Sequence, residues 1–397
     1  MVGPGPSLDE APQHAGEAAD PAVPRRPPRR PGIGRIVALL LVILAVPVAV
    51  SYVSAMLRPS NSGIGVRSVE WLRDNGFAWL VNDVEHTYYS LTAPARGGPG
   101  LKKLPGVGGA VVASARGRRV ATIYHPPRLA AAIHPRLPGE GAWHTTGIDV
   151  GGQPAVLLTT YRPDPNYPRL VAGLAWIDHT RATLRLQPGR YEPTGSGPRG
   201  TSMVPVALRH RLLATFNSGF KLQDSHGGFY ARGHLFSPLV RNRATLVGNR
   251  GGSFDVRNWA GGPAPPPGVV FARQNLPLIV DKGVLNPNLS DGPAWGATLG
   301  NAIRVWRSGV GVDRHGNLIY AAANDQTVGS LAAILRHAGA VRAMELDINS
   351  EWVSFISYAA PGAAGPSNLL AGMNRPATRY LTPDDRDFFS VYAKPKA

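Results

Sequence analysis

Three short stretches hold the residue types from which a hydrolytic site can be built. The first runs from Arg342 to Trp352, where alternation along a strand puts Glu345, Asp347 and Asn349 on one face and Met344, Leu346 and Ile348 on the other. Two carboxylates with Cα atoms about 6.6 Å apart suit acid/base or nucleophilic work on a glycosidic bond. Glu351 lies close enough in the chain to assist. The plain alternative is a polar strand end capped by Arg342. The second stretch, Ala214 to Lys221, runs from a strand into a turn. Asn217 supplies a donor and an acceptor there, Gly219 permits close backbone approach, and His226 follows as a weaker acid candidate. An ordinary β-turn accounts for its glycine equally well. In the third, Arg304 to Val312, Arg307 precedes a glycine-containing strand and offers its fork to a phosphate, or else forms a surface ion pair.

The elements around these stretches have a readable order. Leu318 to Ala323 is strand-like after the turn at Asp313–Gly316. Leu331, Ile334, Leu335 and Ala338 mark a short helix capped by Gly339, and Val341 to Leu346 is the next strand. This is a βαβ-like unit. If its strands are parallel, Asp347, Asn349 and Glu351 sit where α/β sites usually form, past the carboxyl end of the second strand. Further strands are expected at Ala110–Ala113, Val120–Tyr124, Ala155–Thr160, Leu170–Ile177, Leu212–Asn217, Val269–Ala272 and Leu276–Val280, with a proline-rich loop at Pro263–Gly268. High glycine (47) and proline (38) fit many short strands joined by turns. The fold class expected is α+β: a β-rich mixed-sheet domain with few helices, preceded by a single transmembrane helix and a short helical stem.

Whole classes of chemistry are absent. There is no cysteine, which removes disulfides, thiolate metal sites and thiol nucleophiles. No G-x-S-x-G elbow, P-loop, H-E-x-x-H or helix-opening G-x-G-x-x-G occurs, and no metal set or cofactor is expected.

The N-terminus reads as an anchor. Residues 1–35 form a Pro/Ala/Gly-rich tail with five arginines, expected to be disordered and cytoplasmic. Ile36 to Leu57 carries no charge and as a helix would span about 33 Å, enough to cross a bilayer. The arginines before it, against Arg58 alone close behind, place the C-terminal part outside the cytoplasm as a single-pass protein. A buried core helix and a cleaved signal peptide are the competing readings. Residues 58–106 are read as stem and linker. Phe77, Leu80, Val81, Val84 and Tyr88 give the stem one apolar helical face, which would lie on a bilayer or pack on the main domain. Residues 107–200 form a β-rich N-terminal part of the ectodomain, and 201–397 the domain that holds the three stretches. Of the net charge of +17, all but +1 lies beyond the tail. Outside a cell that balance favours phosphate-bearing glycans, envelope polymers and anionic membrane over nucleic acid, although arginines scattered over a solvated surface would give the same number.

Taken together and in order, the three stretches resemble the phosphodiester glycosidase family, whose members include the enzyme that uncovers phospho-mannose by removing N-acetylglucosamine. The family's N-G-G-F-F has its counterpart in Asn217-Ser218-Gly219-Phe220-Lys221, and its R-x-x-x-G strand in Arg307 to Gly311. Its helix followed by L-D-G-G-G-S corresponds to His337 through Glu351, with Ile348, Asn349, Ser350 and Glu351 in place of the small residues after the aspartate. The likeness spans Leu212 to Trp352. It implies cleavage of a sugar–O–phosphate bond at the anomeric carbon, with Asp347 as base or nucleophile, Glu345 or Glu351 assisting, Asn217 on a sugar hydroxyl and Arg307 on the phosphate. Asn349, Gly219 and Lys221 would complete the binding set. Two other functions remain open: a non-catalytic glycan-binding protein stacking sugars on Trp143, Trp176, Trp295, Trp306 or Trp352, and a transferase that passes the sugar to another acceptor.

Overall fold

A computed structural model describes residues 32–111, 124–296 and 304–395. The tail before residue 32 and most of the expected strands at Ala110–Ala113 and Val120–Tyr124 lie outside the described residues. The chain forms two units, residues 1–54 and 55–397. The first holds most of α1 (Ile33–Leu57), among the described residues the single helix long and apolar enough to cross a membrane; it begins three residues before the charge-free stretch and carries Pro47 within it.

In the second unit the stem is two helices, α2 (Ile64–Asp74) and α3 (Ala78–Leu91). Gly76, at φ +87°, makes the turn between them, and Arg73 on α2 pairs with Glu85 on α3 at 2.6 Å. Beyond them the unit is β-rich, with three main sheets and few helices.

Six strands position the site: β1 (Leu212–Asn217), β2 (Val305–Val312), β3 (Leu318–Gln326), β4 (Arg342–Glu345), β5 (Phe355–Ala360) and β6 (Phe388–Ala393). In the largest sheet β2 lies between β3 and β4 and is antiparallel to both, so β3 and β4 run parallel. The helix that joins them, α4 (Val328–His337), opens on a capping box in which Thr327 and Ser330 satisfy each other's backbone N–H. The βαβ unit is therefore present with one strand inserted in its middle.

The sheet is buried on both faces. Along β3, Leu318, Tyr320 and Ala322 enter one apolar cluster while Ile319, Ala321 and Ala323 enter another, which is why the strand reads as a continuous apolar run. The second of these clusters includes Leu331 and Leu335 of α4. Close packing of α4 requires glycine on β2, since a Cβ at Gly309 would stand 2.9 Å from Leu335 Cδ1 and 2.8 Å from the Met344 carbonyl oxygen. Residues on either side of position 200 share two sheets: Val156–Tyr161 and Ala172–Ile177 extend the β3 edge, and Ala182–Gln187 pairs with β6. Of the expected strand Leu276–Val280, only Val280 is in a strand, Val280–Asp281.

β1 is wholly buried between β5 and β6, and Phe216 on it stacks on Phe389 and Phe355 and meets Tyr320 of β3. The neighbouring Asn217 ties the two sheets with polar bonds. Its Nδ2 donates to Ser308 Oγ of β2 at 3.0 Å and to the Ser218 carbonyl at 2.8 Å, while its Oδ1 accepts from Tyr320 Oη at 2.9 Å and from the Ser354 N–H at 3.0 Å. The amide is fully used. Asn217→Ala leaves several buried partners unsatisfied and should cost about 3 kcal/mol of stability, read as a lowered midpoint in urea unfolding. A variant as stable as the parent would show that the bracket is dispensable.

Candidate functional site

Where β4 ends, the chain leaves the sheet and the expected alternation stops with it. Glu345 is the last strand residue; beyond it Ile348 joins the cluster on the α4 side, and Asp347, Ile348 and Asn349 all line a pocket. Glu345 does not line that pocket. It is buried beneath, bonded to Arg307 Nη1 at 2.5 Å, and Arg307 also donates from Nε to the Gln326 carbonyl and from Nη1 to the Trp295 carbonyl. The two residues expected to assist catalysis and to hold phosphate thus neutralise each other within the fold. Asn217 likewise has no group left for a sugar hydroxyl. Glu351 accepts from Asn374 Nδ2 at 2.9 Å and lies outside the pocket lining.

The pocket has a volume of about 600 Å³. Its floor carries Asp347, whose Oδ2 accepts from Arg386 Nη2 at 2.9 Å and whose Oδ1 accepts from the Asn349 N–H at 3.0 Å. Burial holds the Asp347 carboxyl above the usual aspartate range, opposed by Arg386 and by backbone N–H groups. Arg386 also donates to the Gly219 carbonyl at 3.2 Å, which brings the second stretch to the site through its backbone. The guanidinium lies 5.1 Å over the Trp352 ring, and its Nε is buried with no partner. Burial lowers the guanidinium's proton affinity, yet Asp347, Glu192, Glu70 and Asp387 together raise it above its ordinary value. Trp352 lines the pocket, whereas Trp143, Trp176, Trp295 and Trp306 do not.

The stem closes one side. Glu70, Arg73 and Asp74 of α2, with Ala78 and Asn82 of α3, form a wall facing Asp347 and the loop that carries Lys221, Asp224 and His226. Lys221 is ion-paired with Glu70 and lies 3.6 Å from Asp74. Burial pushes the Glu70 carboxyl up, but Lys221 and Arg386 outweigh it and the group titrates below its ordinary value. Lys221 thus pairs with Glu70 and Arg73 with Glu85, while Arg386 lies beside Asp347 at the floor. Among the described residues no group of three His, Asp or Glu side chains is placed to hold a metal ion.

No protein-family model matches the chain, and no curated protein matches it by sequence. Solved structures give distant likenesses of fold. One is the zebrafish N-acetylglucosamine-1-phosphodiester alpha-N-acetylglucosaminidase catalytic domain auto-inhibited by pro-peptide, at 18% identity over 62% of this chain and 85% of that chain, with a TM-score of 0.40. A hypothetical protein from Synechocystis matches at 16% identity, 62% and 63% coverage and a TM-score of 0.37. A putative exported protein from Burkholderia pseudomallei matches at 12%, 59% and 75%, and 0.34.

The sequence reading did not find Arg386 or the stem residues. A signal for the first existed: Asp384-Asp385-Arg386-Asp387 places four charges directly before a fully apolar strand start, so burial forces them to find partners.

Glu345 leaves a measurable trace. Burial pushes its carboxyl up to about 7 against the pull of Arg307. Because the folded state holds this proton more tightly than the unfolded chain, its stabilising contribution is complete below about pH 4.5 and is lost as pH rises through about 7. Unfolding free energy followed across that window should fall with pH in the parent and fall less in Glu345→Gln. Equal slopes would show that Glu345 titrates normally.

Proposed function

We propose that this chain is a membrane-anchored, extracytoplasmic hydrolase that cleaves sugar-1-phosphodiesters in phosphate-bearing glycans or envelope polymers. The observation that carries the reading is the Asp347–Arg386 pair at the floor of a pocket large enough for a sugar. The pair supplies what this reaction needs. A phosphate monoester is a good leaving group, so cleavage of the anomeric C–O bond needs little protonation of the departing oxygen, whereas the charge that stays on phosphate needs a cation.

In this reading Arg386 keeps Nη2 on Asp347, and its guanidinium charge at the pocket attracts the substrate phosphate. Asp347, held in place by that bond and by the Asn349 N–H, attacks the anomeric carbon or takes the proton from the attacking water. Trp352 and Asn349 contact the sugar, and Glu70 of the stem wall and Asp224 of the facing loop are the other pocket carboxylates that can accept a proton. The phosphate role expected of Arg307 passes to Arg386. Anchoring rests on α1, with the arginines before it setting its direction.

The test is release of phosphate monoester from sugar-1-phosphodiesters by the full chain in detergent, beside two variants. Asp347→Asn should lower kcat by about 10⁴-fold with the fold intact. Arg386→Lys, which keeps charge but loses the fork, should raise KM for the phosphodiester. Turnover in Asp347→Asn equal to the parent removes Asp347 from the mechanism. No turnover by any form, with envelope polymer retained by all of them, makes the chain a glycan-binding protein.

A further inference from the structure

α3 has two working faces, and the proposed reaction uses only one. Ala78 and Asn82 line the pocket, Val81 is buried at 6% exposure and Tyr89 packs on the core. On the other side, Phe77, Leu80, Val84, Tyr88 and Leu91 follow one another at helical spacing and stay in the open, at 38, 41, 63, 61 and 82% exposure. A monomer leaves few such stripes uncovered.

The chain itself indicates what covers this one. The apolar helix ends at Leu57, and three residues later the chain is already fixed to the body, Ser60 Oγ donating to Asp385. Asn61 Nδ2 donates to Asp384 Oδ2 at 2.9 Å, Ser62 Oγ donates to Asp385 Oδ2 at 3.1 Å, and Arg375 Nη2 donates to the Asn61 carbonyl at 2.9 Å. Three residues reach about 10 Å at most. A body held that close to the end of a membrane-crossing helix, carrying an amphipathic helix with an aromatic-containing apolar stripe, has the properties of a surface seated at a bilayer by apolar burial; α3 itself carries Asp83 and Glu85 and no lysine or arginine, so charge adds no attraction there.

We infer that the exposed stripe of α3 rests on the membrane interface, and that the pocket walled by the same helix takes a lipid-anchored substrate: the 1-phosphodiester of a sugar with a long-chain lipid alcohol. The substrate half of this inference rests on the hydrolase reading above. The tail remains in the bilayer beneath α3 while the sugar phosphate enters beside Ala78 and Asn82. Water supplies the oxygen that ends on the anomeric carbon. The bond from that carbon to the bridging oxygen breaks with its electron pair going to phosphate. The water's proton passes through a pocket carboxylate to solvent. The products are a free reducing sugar and a lipid phosphate monoester.

The chain has no cysteine, so single reporters can be placed cleanly. The full chain carrying Val84→Cys, Leu91→Cys or, on the helix flank, Ser90→Cys is labelled with an environment-sensitive fluorophore. It is then reconstituted in phosphatidylcholine–phosphatidylglycerol vesicles with a lipid-borne nitroxide quencher. Labels at 84 and 91 should shift to the blue and be quenched, and the label at 90 should not. In the same vesicles a lipid-linked sugar phosphodiester is compared with a water-soluble one. Val84→Glu with Tyr88→Glu should cut cleavage of the lipid-linked substrate by about tenfold or more and leave the soluble one unchanged.

Absence of quenching at 84 and 91 overturns the membrane face. A blue shift that tracks protein density without lipid quenching assigns the stripe to a second copy and overturns it as well. Cleavage of the soluble substrate alone, or equal loss on both in the double variant, overturns the lipid substrate class while the hydrolase reading stands. No cleavage of either substrate by the parent removes the hydrolase reading and the substrate class together, and the quenching data alone then decide the membrane face.

Discussion

The arrangement depends on one amide. Asn217 sits where the strand β1 stops, and its four hydrogen bonds reach two other strands and the backbone at Ser354. Its partner Ser308 also binds the carbonyl of Asp347, through Oγ at 2.8 Å and through N–H at 3.1 Å. The backbone that presents the Asp347 carboxylate to the pocket is thereby referenced to β1 and β2 at once. A buried amide that satisfied fewer of these groups would leave each of them at the cost of desolvation. The chain's use of asparagine at this point is thus structural first, and its effect on the site is indirect.

Charge follows the same economy. Arg273 with Asp387, Arg379 with Asp384, Arg307 with Glu345 and Arg386 with Asp347 are all buried pairs. Burying ions costs heavily, and such pairs persist where hydrogen bonds complete both partners. Arg307 meets two carbonyls besides its carboxylate, and Arg379 meets the Trp352 carbonyl and Ser354 Oγ. Arg386 differs in facing the pocket with a buried Nε that nothing accepts from. Burial and pairing are common to all four, so its place in the pocket lining is what sets Arg386 apart.

Much of the local architecture was legible in the sequence. The strand at Leu212–Asn217 and the order of β3, α4 and β4 follow from apolar runs, a helical period and a glycine stop. Asp347 was visible as a carboxylate just past a buried strand. What could not be seen was which charges would meet. Arg307 and Glu345 are 38 residues apart and Arg386 and Asp347 are 39 apart, and nothing in residue type distinguishes the pair that is sealed from the pair that faces a cavity. The stem was legible as an amphipathic helix, and of its expected stripe Val81 is buried while Phe77, Leu80, Val84 and Tyr88 stay exposed, because Tyr89, outside that stripe, joins Val81 in the packing.

The latch between the start and end of the body also orders how a finished molecule comes into being. Asn61 and Ser62 bond to residues 323 positions later, and Arg386 follows directly on those acceptors. As synthesis runs from the N-terminus, Asn61 and Ser62 emerge early and lack these partners until residues 384 and 385 have been added. The same short C-terminal segment that fastens the stem delivers the guanidinium to Asp347. A copy that stops before residue 384 therefore lacks both of these at once, so one segment couples the fastening of residues 61 and 62 to the closure of the site.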